Sequence, residues 1–154
     1  MMGEDVKHEV YLGLGSNLGD RETIITHAIE LIGEKVGLVI RQSSLIETEP
    51  WGFESENKFL NGVILVETTL TPRQLLKVIQ KIERELGKRR KHATRRSQLS
   101  TLNSQLSTFN DRPIDIDILL YDDLTVDEPD LKIPHPLMYE RDFVMIPLKQ
   151  IKPR

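Results

Sequence analysis

The sequence predicts an α+β fold in which a ferredoxin-like βαββαβ antiparallel sheet carries both helices on one face, followed by a C-terminal helix. Two segments place apolar residues at helical spacing, and four other runs are rich in apolar and β-branched residues. Along the chain they follow the order strand, helix, strand, strand, helix, strand. With 154 residues, the chain fits one domain, 1–154, that can bury an ordinary core.

The first half of the chain supplies one strand, one helix and two further strands. His8–Leu14 is a short β-like run, and the turn formers GSNLGD follow it. Asp20 can cap a helix that we expect Gly37 to end in the left-handed conformation. Leu38–Thr48 and Phe59–Glu67 predict two strands joined by a loop. The apolar positions of the helix are Ile24, Ile25, Ala28, Ile29 and Ile32.

The second half supplies a helix, a strand and a final helix. Thr71 is a candidate cap with Pro72 in the first helical position, and we expect this helix to end at Gly87. Its apolar stripe consists of Leu75, Leu76, Ile79, Ile82 and Leu86. Ile114–Tyr121 alternates with period two, which is typical of a strand. After a hairpin-like stretch and the sequence IPHP, we expect a last helix that includes Phe143.

Composition excludes several classes of protein. The chain has no cysteine, so disulfide frameworks, thiolate metal sites and thiol nucleophiles are excluded, and a reducing compartment fits. The N-terminal sequence MMGEDVKHEV carries acids where a signal peptide would be apolar, and no apolar run approaches the roughly 18 residues that span a bilayer. The formal net charge of −3 argues against a nucleic-acid-binding protein. We therefore expect a cytoplasmic protein with neither membrane nor nucleic-acid partners.

A long basic and serine-rich connection, 88–113, separates the second helix from the period-two strand. It begins with KRRKHATRR, a run of six Lys and Arg residues that no acid balances. The heptads SQLSTLN and SQLSTFN follow in tandem at 97–103 and 104–110. Their polar composition offers no apolar face to repay the entropy of ordering, so we expect a mobile loop. Loops of this length in compact domains are often active-site lids.

The period-two strand carries two acids on one face. Asp115 and Asp117 are two residues apart, and strand residues with that spacing point to the same side of a sheet. Their repulsion is relieved if a hard cation binds between them, and Mg²⁺ arriving with a nucleotide fits that role. An isolated D-x-D is more often a solvated edge-strand face. Here Arg112 and the basic run precede it, and metal-binding acids together with arginines are what phosphoryl chemistry requires.

Two further sets of residues are ambiguous from the residues alone. Gln80 and Glu83 share a face of the second helix, and the residues alone favour an interpretation as ordinary surface residues. Trp51 and Phe59 lie near Asn61, whose amide offers both donor and acceptor. The aromatic rings of such a set can stack on a flat heterocycle while the amide forms hydrogen bonds to its edge. Equally, the aromatic side chains can simply be part of the hydrophobic core.

The glycines and histidines are weaker candidates for a functional site. Gly13, Gly15 and Gly19 miss the dinucleotide fingerprint by one residue, so we interpret them as part of a turn. No P-loop motif is present, and the four histidines show no metal-binding spacing. Only His135, between Pro134 and Pro136, is placed for a phosphate contact.

Six motifs in order make the chain resemble the 6-hydroxymethyl-7,8-dihydropterin pyrophosphokinase family over most of its length. They are GLGSNLGDR at Gly13–Arg21, TEPWG at Thr48–Gly52, FLNGV at Phe59–Val63, QKIERELG at Gln80–Gly87, RPIDIDIL at Arg112–Leu119 and IPHPLMYERDFVMIPL at Ile133–Leu148. The resemblance implies transfer of pyrophosphate from ATP to the pterin hydroxymethyl oxygen, with release of AMP, in folate biosynthesis.

The resemblance also implies residue roles. Asp115 and Asp117 would bind two Mg²⁺ ions bridging the ATP phosphates, while Arg112 and Arg90 would steady the transferred group. The positions that match ATP contacts are Gln80, Glu83, Lys88, Ile118, His135 and Arg141. The positions that match the pterin site are Thr48, Glu49, Pro50, Trp51, Phe59, Asn61 and Phe143.

Two other functions stay open from the sequence. A ferredoxin-like module whose basic loop holds RNA or another polyanion predicts salt-sensitive binding without turnover. An ordinary kinase that transfers one phosphoryl group predicts ADP as product, where a pyrophosphokinase releases AMP. A partner protein is not predicted.

Overall fold

The structure is a computed structural model that describes residues 6–48, 58–93 and 113–152, with the backbone alone over 88–93. Its strands are β1 (His8–Ser16), β2 (Gly37–Gln42), β3 (Ile46–Thr48), β4 (Phe59–Thr68), β5 (Asp115–Tyr121), β6 (Val126–Glu128) and β7 (Leu131–Ile133). Its helices are α1 (Arg21–Lys35), α2 (Pro72–Ala93), a 3-10 turn (Met138–Glu140) and the C-terminal α3 (Asp142–Ile151).

The main sheet has the strand order β2-β4-β1-β5, with β3 also paired to β4, and each of these pairings is antiparallel. β5 therefore forms one edge of the sheet. β6 and β7 form a separate hairpin after β5. The predicted ferredoxin-like arrangement with a C-terminal helix is confirmed.

Local signals in the sequence explain where both long helices begin. Asp20 caps α1, since its side chain accepts a hydrogen bond from the backbone N–H of Thr23 at 3.3 Å. Thr71 and Gln74 form a capping box before α2: the Thr71 N–H donates to Gln74 Oε1 at 2.9 Å, and the Gln74 N–H donates to Thr71 Oγ1 at 3.2 Å. The predicted starts of both helices are confirmed.

The sheet separates two apolar cores. On one face, α1 and α2 cover a cluster that includes Leu12, Ile64 and Ile116. On the other face, α3 covers Tyr11, Leu65 and further apolar residues of β1, β4 and β5. The apolar positions predicted for α1 and α2 all belong to the first core or pack against it. The α3 core covers only part of this face. The remaining part, where β1 ends and β4 and β5 begin, is left for polar side chains.

Several predicted boundaries were wrong. The strand expected at Leu38–Thr48 is divided into β2 and β3, because the Ser43 side chain accepts a hydrogen bond from the Val63 N–H at 2.9 Å in place of a ladder carbonyl. α2 continues past Gly87 to Ala93, so 88–93 are helical instead of loop. Gly37 is the first residue of β2 and does not end α1 in a left-handed conformation; Val36 is the cap.

The remainder of the predicted basic and serine-rich loop, 94–112, lies outside the described residues, as do 49–57. Within the described ranges, every helix is too short or too polar to cross a membrane.

Candidate functional site

The polar end of the α3 face is built on three adjacent strands. Gly15 of β1 pairs with Asn61 of β4 on one side and with Asp115 of β5 on the other. These three residues therefore form one row across the sheet, and paired positions in neighbouring strands share a face. β1 extends two residues further than the sequence predicted, so Gly15 belongs to this strand and not to the following turn.

Gly15 leaves room for two side chains of β4. A Cβ at this position would lie 2.8 Å from Oδ1 of Asn61 and 3.5 Å from Cδ1 of Phe59. Both side chains therefore lean across β1 toward β5. Asn61 is almost fully buried, and its Nδ2 donates a 2.7 Å hydrogen bond to Oγ1 of Thr48. The structure thus brings together three of the residues predicted for the heterocycle site.

Asp115 and Asp117 share the same face of β5, and both are half-buried. Ile114, Ile116 and Ile118 alternate with them and are buried in the core beneath α1 and α2. The predicted geometry of the strand is confirmed. It also means that the Ile118 side chain faces away from the two acids, so a nucleotide on their face could contact Ile118 only through its backbone.

His135 lies against this acidic pair. Its backbone N–H donates to the Leu119 carbonyl at 3.0 Å, and its Nε2 lies 3.9 Å from Oδ1 of Asp117. Burial lowers the pKa of His135, as does the positive charge of Arg141, while Asp115 opposes the shift. The neutral imidazole therefore predominates at pH 7. Because the Leu137 N–H donates to Nδ1 at 3.3 Å, the hydrogen-bond pattern assigns the proton to Nε2, on the side of Asp117.

Arg141 and Phe143 contact each other at the beginning of α3. The Arg141 guanidinium carbon lies 5.4 Å from the centroid of the Phe143 ring, a cation–π distance. Arg141 is the residue just before α3, and Phe143 is the second residue of the helix. A residue predicted to contact ATP and one predicted to contact the pterin are therefore in mutual contact.

Glu83 connects α2 to the edge strand. Its Oε2 accepts a 2.8 Å hydrogen bond from the backbone N–H of Ile116. Gln80 lies one turn earlier and is exposed. The residues alone favoured ordinary helix surface for this pair, but for Glu83 the structure shows a specific contact with the strand that carries both acids.

Several predicted site residues lie outside the described side chains. Glu49, Pro50, Trp51 and Arg112 fall in the segments without description, and for Lys88 and Arg90 the structure describes the helical backbone alone. Their roles stay predictions.

The acidic pair fits a magnesium ion that arrives with a phosphate ligand. Among the described residues, no group of three or more His, Cys, Asp and Glu side chains could hold a metal by itself. Mg²⁺ in nucleotide sites is typically bound by one or two carboxylates, with phosphate oxygens and waters completing the octahedron. Asp115 and Asp117 supply that number of carboxylates on one face.

Two features of the site were missed from the sequence. Gly15 was interpreted as a turn residue. Its spacing of two from Gly13 was the available signal, because two glycines at that spacing in a strand leave one face of the strand without side chains. Arg21 was not singled out, and its contacts with Glu47 and with the residue before β4 require the folded chain.

A cavity of about 460 Å³ lies apart from the acidic row. It is lined by Gly19, Asp20, Arg21, Glu22, Leu45 and Leu60. Leu45 and Leu60 pack against the α1 and α2 core, so this cavity opens on the other side of the sheet from Asp115 and Asp117. None of the residues predicted to bind a ligand lines it.

Known proteins match this chain in sequence over nearly its whole length. The chain is 45% identical over 145 residues to the 2-amino-4-hydroxy-6-hydroxymethyldihydropteridine pyrophosphokinase of Porphyromonas gingivalis, covering 94% of this chain and 90% of that protein. It is 40% identical to the protein of the same name from Aquifex aeolicus, with 94% and 80% covered. It is also 38% identical to part of a folic acid synthesis protein of Dictyostelium discoideum, covering 94% of this chain and 20% of that one.

The fold recurs in a solved structure. A triple mutant of the Plasmodium falciparum HPPK-DHPS superposes with a TM-score of 0.68 at 18% identity, over 97% of this chain and 40% of that chain. This likeness concerns the fold alone. The sequence model of 7,8-dihydro-6-hydroxymethylpterin-pyrophosphokinase matches residues 11–153. With that match over nearly the whole chain and relatives at 40–45% identity, the chain belongs to the 7,8-dihydro-6-hydroxymethylpterin-pyrophosphokinase family.

Proposed function

We propose that the chain transfers the pyrophosphate group of ATP to the hydroxymethyl oxygen of a 6-hydroxymethyl-7,8-dihydropterin, releasing AMP, as a step of folate biosynthesis. The observation that carries the proposal is the row formed by Asn61, Gly15 and Asp115 across β4, β1 and β5. It places the Asn61 amide, which can form hydrogen bonds to the edge of a heterocycle, in one row with the Asp115 carboxylate, which can hold a metal-bound nucleotide. Family membership supports the same activity.

The pterin is assigned to the β4 side of the row. The Asn61 amide offers both a donor and an acceptor to a ring edge, and Phe59 offers an aromatic face. Thr48 holds the Asn61 amide through the 2.7 Å hydrogen bond, which fixes the amide orientation. Phe143 of α3 and the predicted residues Glu49, Pro50 and Trp51 complete this side.

The nucleotide is assigned to the β5 side. Asp115 and Asp117 would hold two Mg²⁺ ions, which when bound supply charge neutralisation of the bridging phosphate oxygens. Neutral His135 donates Nε2–H to a phosphate oxygen and adds no charge of its own. Arg141, Arg90 and Arg112 balance phosphate charge, and Lys88, Gln80, Glu83 and Ile118 complete the predicted nucleotide contacts.

The reaction follows from holding both substrates on one face. The hydroxymethyl oxygen of the pterin attacks the β-phosphorus of ATP, and the bond between the β-phosphorus and the oxygen bridging to the α-phosphorus breaks. AMP leaves with that oxygen, and the hydroxyl proton passes to solvent or to a nearby carboxylate. No covalent enzyme intermediate forms. The chain's contribution is therefore orientation and electrostatic stabilisation. The absence of cysteine supports a cytoplasmic location for this chemistry.

A single incubation tests the proposal. Purified protein with ATP, Mg²⁺ and the reduced hydroxymethylpterin is expected to release AMP and the pterin diphosphate in equal amounts, and added EDTA is expected to stop both. ADP as the nucleotide product would contradict pyrophosphate transfer. Salt-sensitive binding of RNA with no nucleotide product would favour a polyanion-binding module instead.

A further inference from the structure

Arg21 joins the two strand segments that carry the proposed pterin-binding side chains. It is the first residue of α1. Its Nη2 lies 2.8 Å from Oε2 of Glu47 in β3, and its Nη1 donates a 2.7 Å hydrogen bond to the carbonyl oxygen of Lys58. One guanidinium group therefore ties β3 to the residue that precedes β4.

Each group that Arg21 holds is the direct neighbour of a proposed pterin-binding residue. Glu47 precedes Thr48, and Lys58 precedes Phe59. Thr48 and Phe59 are themselves partners in the β3–β4 register. A shift of either strand segment would therefore change the distance between these two side chains.

Arg21 acts from the side of the sheet opposite to the site. Successive side chains of a strand point to opposite faces, so Glu47 and Thr48 point apart. The Glu47 side chain reaches the beginning of α1, while Thr48 reaches Asn61 on the α3 face. Arg21 therefore does not touch a ring bound by Thr48 and Asn61, and its influence passes through the backbone of β3 and the start of β4.

The double contact depends on the shape of the guanidinium group. Its planar fork presents separate N–H groups in fixed directions, so a carboxylate and a carbonyl can be bound together. A lysine ammonium can pair with Glu47 but has no fixed fork to span both partners. The Arg21 side chain is 29% exposed and the Glu47 side chain 49%, so solvent partly screens the ion pair, and the geometry of the double contact matters more than its charge.

We propose that Arg21 is a positioning residue that sets the spacing of Thr48, Phe59 and Asn61 for the pterin without touching it. The inference rests on the proposed function. Among the described residues, the groups assigned to the nucleotide lie on β5, α2 and the segment before α3, whereas Arg21 contacts Glu47 and Lys58. Its effect is therefore specific to one of the two substrates.

Steady-state kinetics with each substrate varied separately test this role. Arg21→Ala is expected to raise KM for the pterin about five- to tenfold, because an interaction lost equally from ground and transition states raises KM and leaves kcat unchanged. KM for ATP and kcat are expected to stay within about twofold of wild type. Arg21→Lys and Glu47→Gln each keep one of the two contacts and are expected to give intermediate values.

A matched control separates positioning from stability. Arg73→Ala removes an arginine from the first turn of α2 that pairs with Glu128 and Asp130, remote from the pterin side, and should leave both KM values unchanged. If Arg21 only stabilised the fold, Arg21→Ala would lower Tm and kcat together and leave KM for the pterin at its wild-type value. That result would overturn the inference.

Direct binding separates this inference from the proposed function. Pterin fluorescence titration of wild type and Arg21→Ala measures Kd without turnover. Equal affinities would overturn the role of Arg21 even if AMP is released. Weaker binding by the variant would support it even if the nucleotide product proved to be ADP.

Discussion

Asn61 occupies space that exists because residue 15 is glycine. The Asn61 Oδ1 would lie 2.8 Å from a Cβ at Gly15, closer than side chains approach in practice. The same asparagine donates to Thr48, so its amide is fixed from two directions, by the bare backbone of β1 and by a hydroxyl of β3. A glycine without chemistry of its own thus determines where the polar group of the site lies.

Gly15→Ala is expected to weaken pterin binding about tenfold through loss of the Asn61 hydrogen bond and orientation. The overlapping atom is the end of a side chain, which can rotate away, so the free energy of unfolding should fall by only about 1 kcal/mol. Fluorescence titration and thermal melting measure the two quantities. Wild-type affinity in a folded variant would show that the Asn61 position is unimportant for the ligand.

Asp117→Asn is expected to lower turnover by about a thousandfold while leaving the fold intact, since the amide cannot replace a charged magnesium ligand. Removing one of two like charges on the same strand face should leave Tm unchanged or slightly raised. The measurements are AMP release at saturating Mg²⁺ and a thermal melt. Near-normal turnover would refute the assignment of the metal to this strand.

Glu83→Ala is expected to expose the Ile116 N–H on the outer edge of β5. Loss of the 2.8 Å hydrogen bond should destabilise the protein by about 1 kcal/mol and speed hydrogen exchange of that amide. Glu83→Gln keeps an acceptor and serves as the matched control, with exchange near wild type. Unchanged exchange in the alanine variant would mean that the Glu83 bond does not hold the strand edge.

The fold could be predicted largely because local signals and global arrangement agree. The Thr71-Pro72 cap, the stripe of α2 and the alternation of Asp115 and Asp117 with buried isoleucines each specify an element without reference to the rest of the chain. The position of Asp115 in the same row as Asn61 could not be predicted in this way. It follows from register across three strands, which no local pattern contains.

The errors at Ser43 and Gly37 depended on what a distant segment does, and the error at Gly87 depended on how well a helix tolerates glycine. The break between β2 and β3 results from hydrogen bonds of Ser43 with Val63, twenty residues away. Gly87 was taken as a helix end because glycine often follows one, yet a helical glycine is merely less favourable by about 1 kcal/mol, and α2 continues through it. Residue propensities alone could not decide whether the strand is divided at Ser43 or whether the helix continues through Gly87.

Gly37 is a second position where a distant segment sets the requirement, and this requirement can be tested. A Cβ here would overlap the backbone carbonyl oxygen of Glu67 on β4, so the requirement is close strand approach and not a left-handed turn. Because backbone atoms cannot rotate away, Gly37→Ala is expected to destabilise the protein by about 3 kcal/mol. Gly33→Ala in α1 is the control: a Cβ there meets nothing within 4 Å and should stabilise the helix by about 0.5–1 kcal/mol. Chemical denaturation of both variants measures the difference. If the two substitutions shift stability in the same direction, the contact between Gly37 and Glu67 is not what requires glycine at this position.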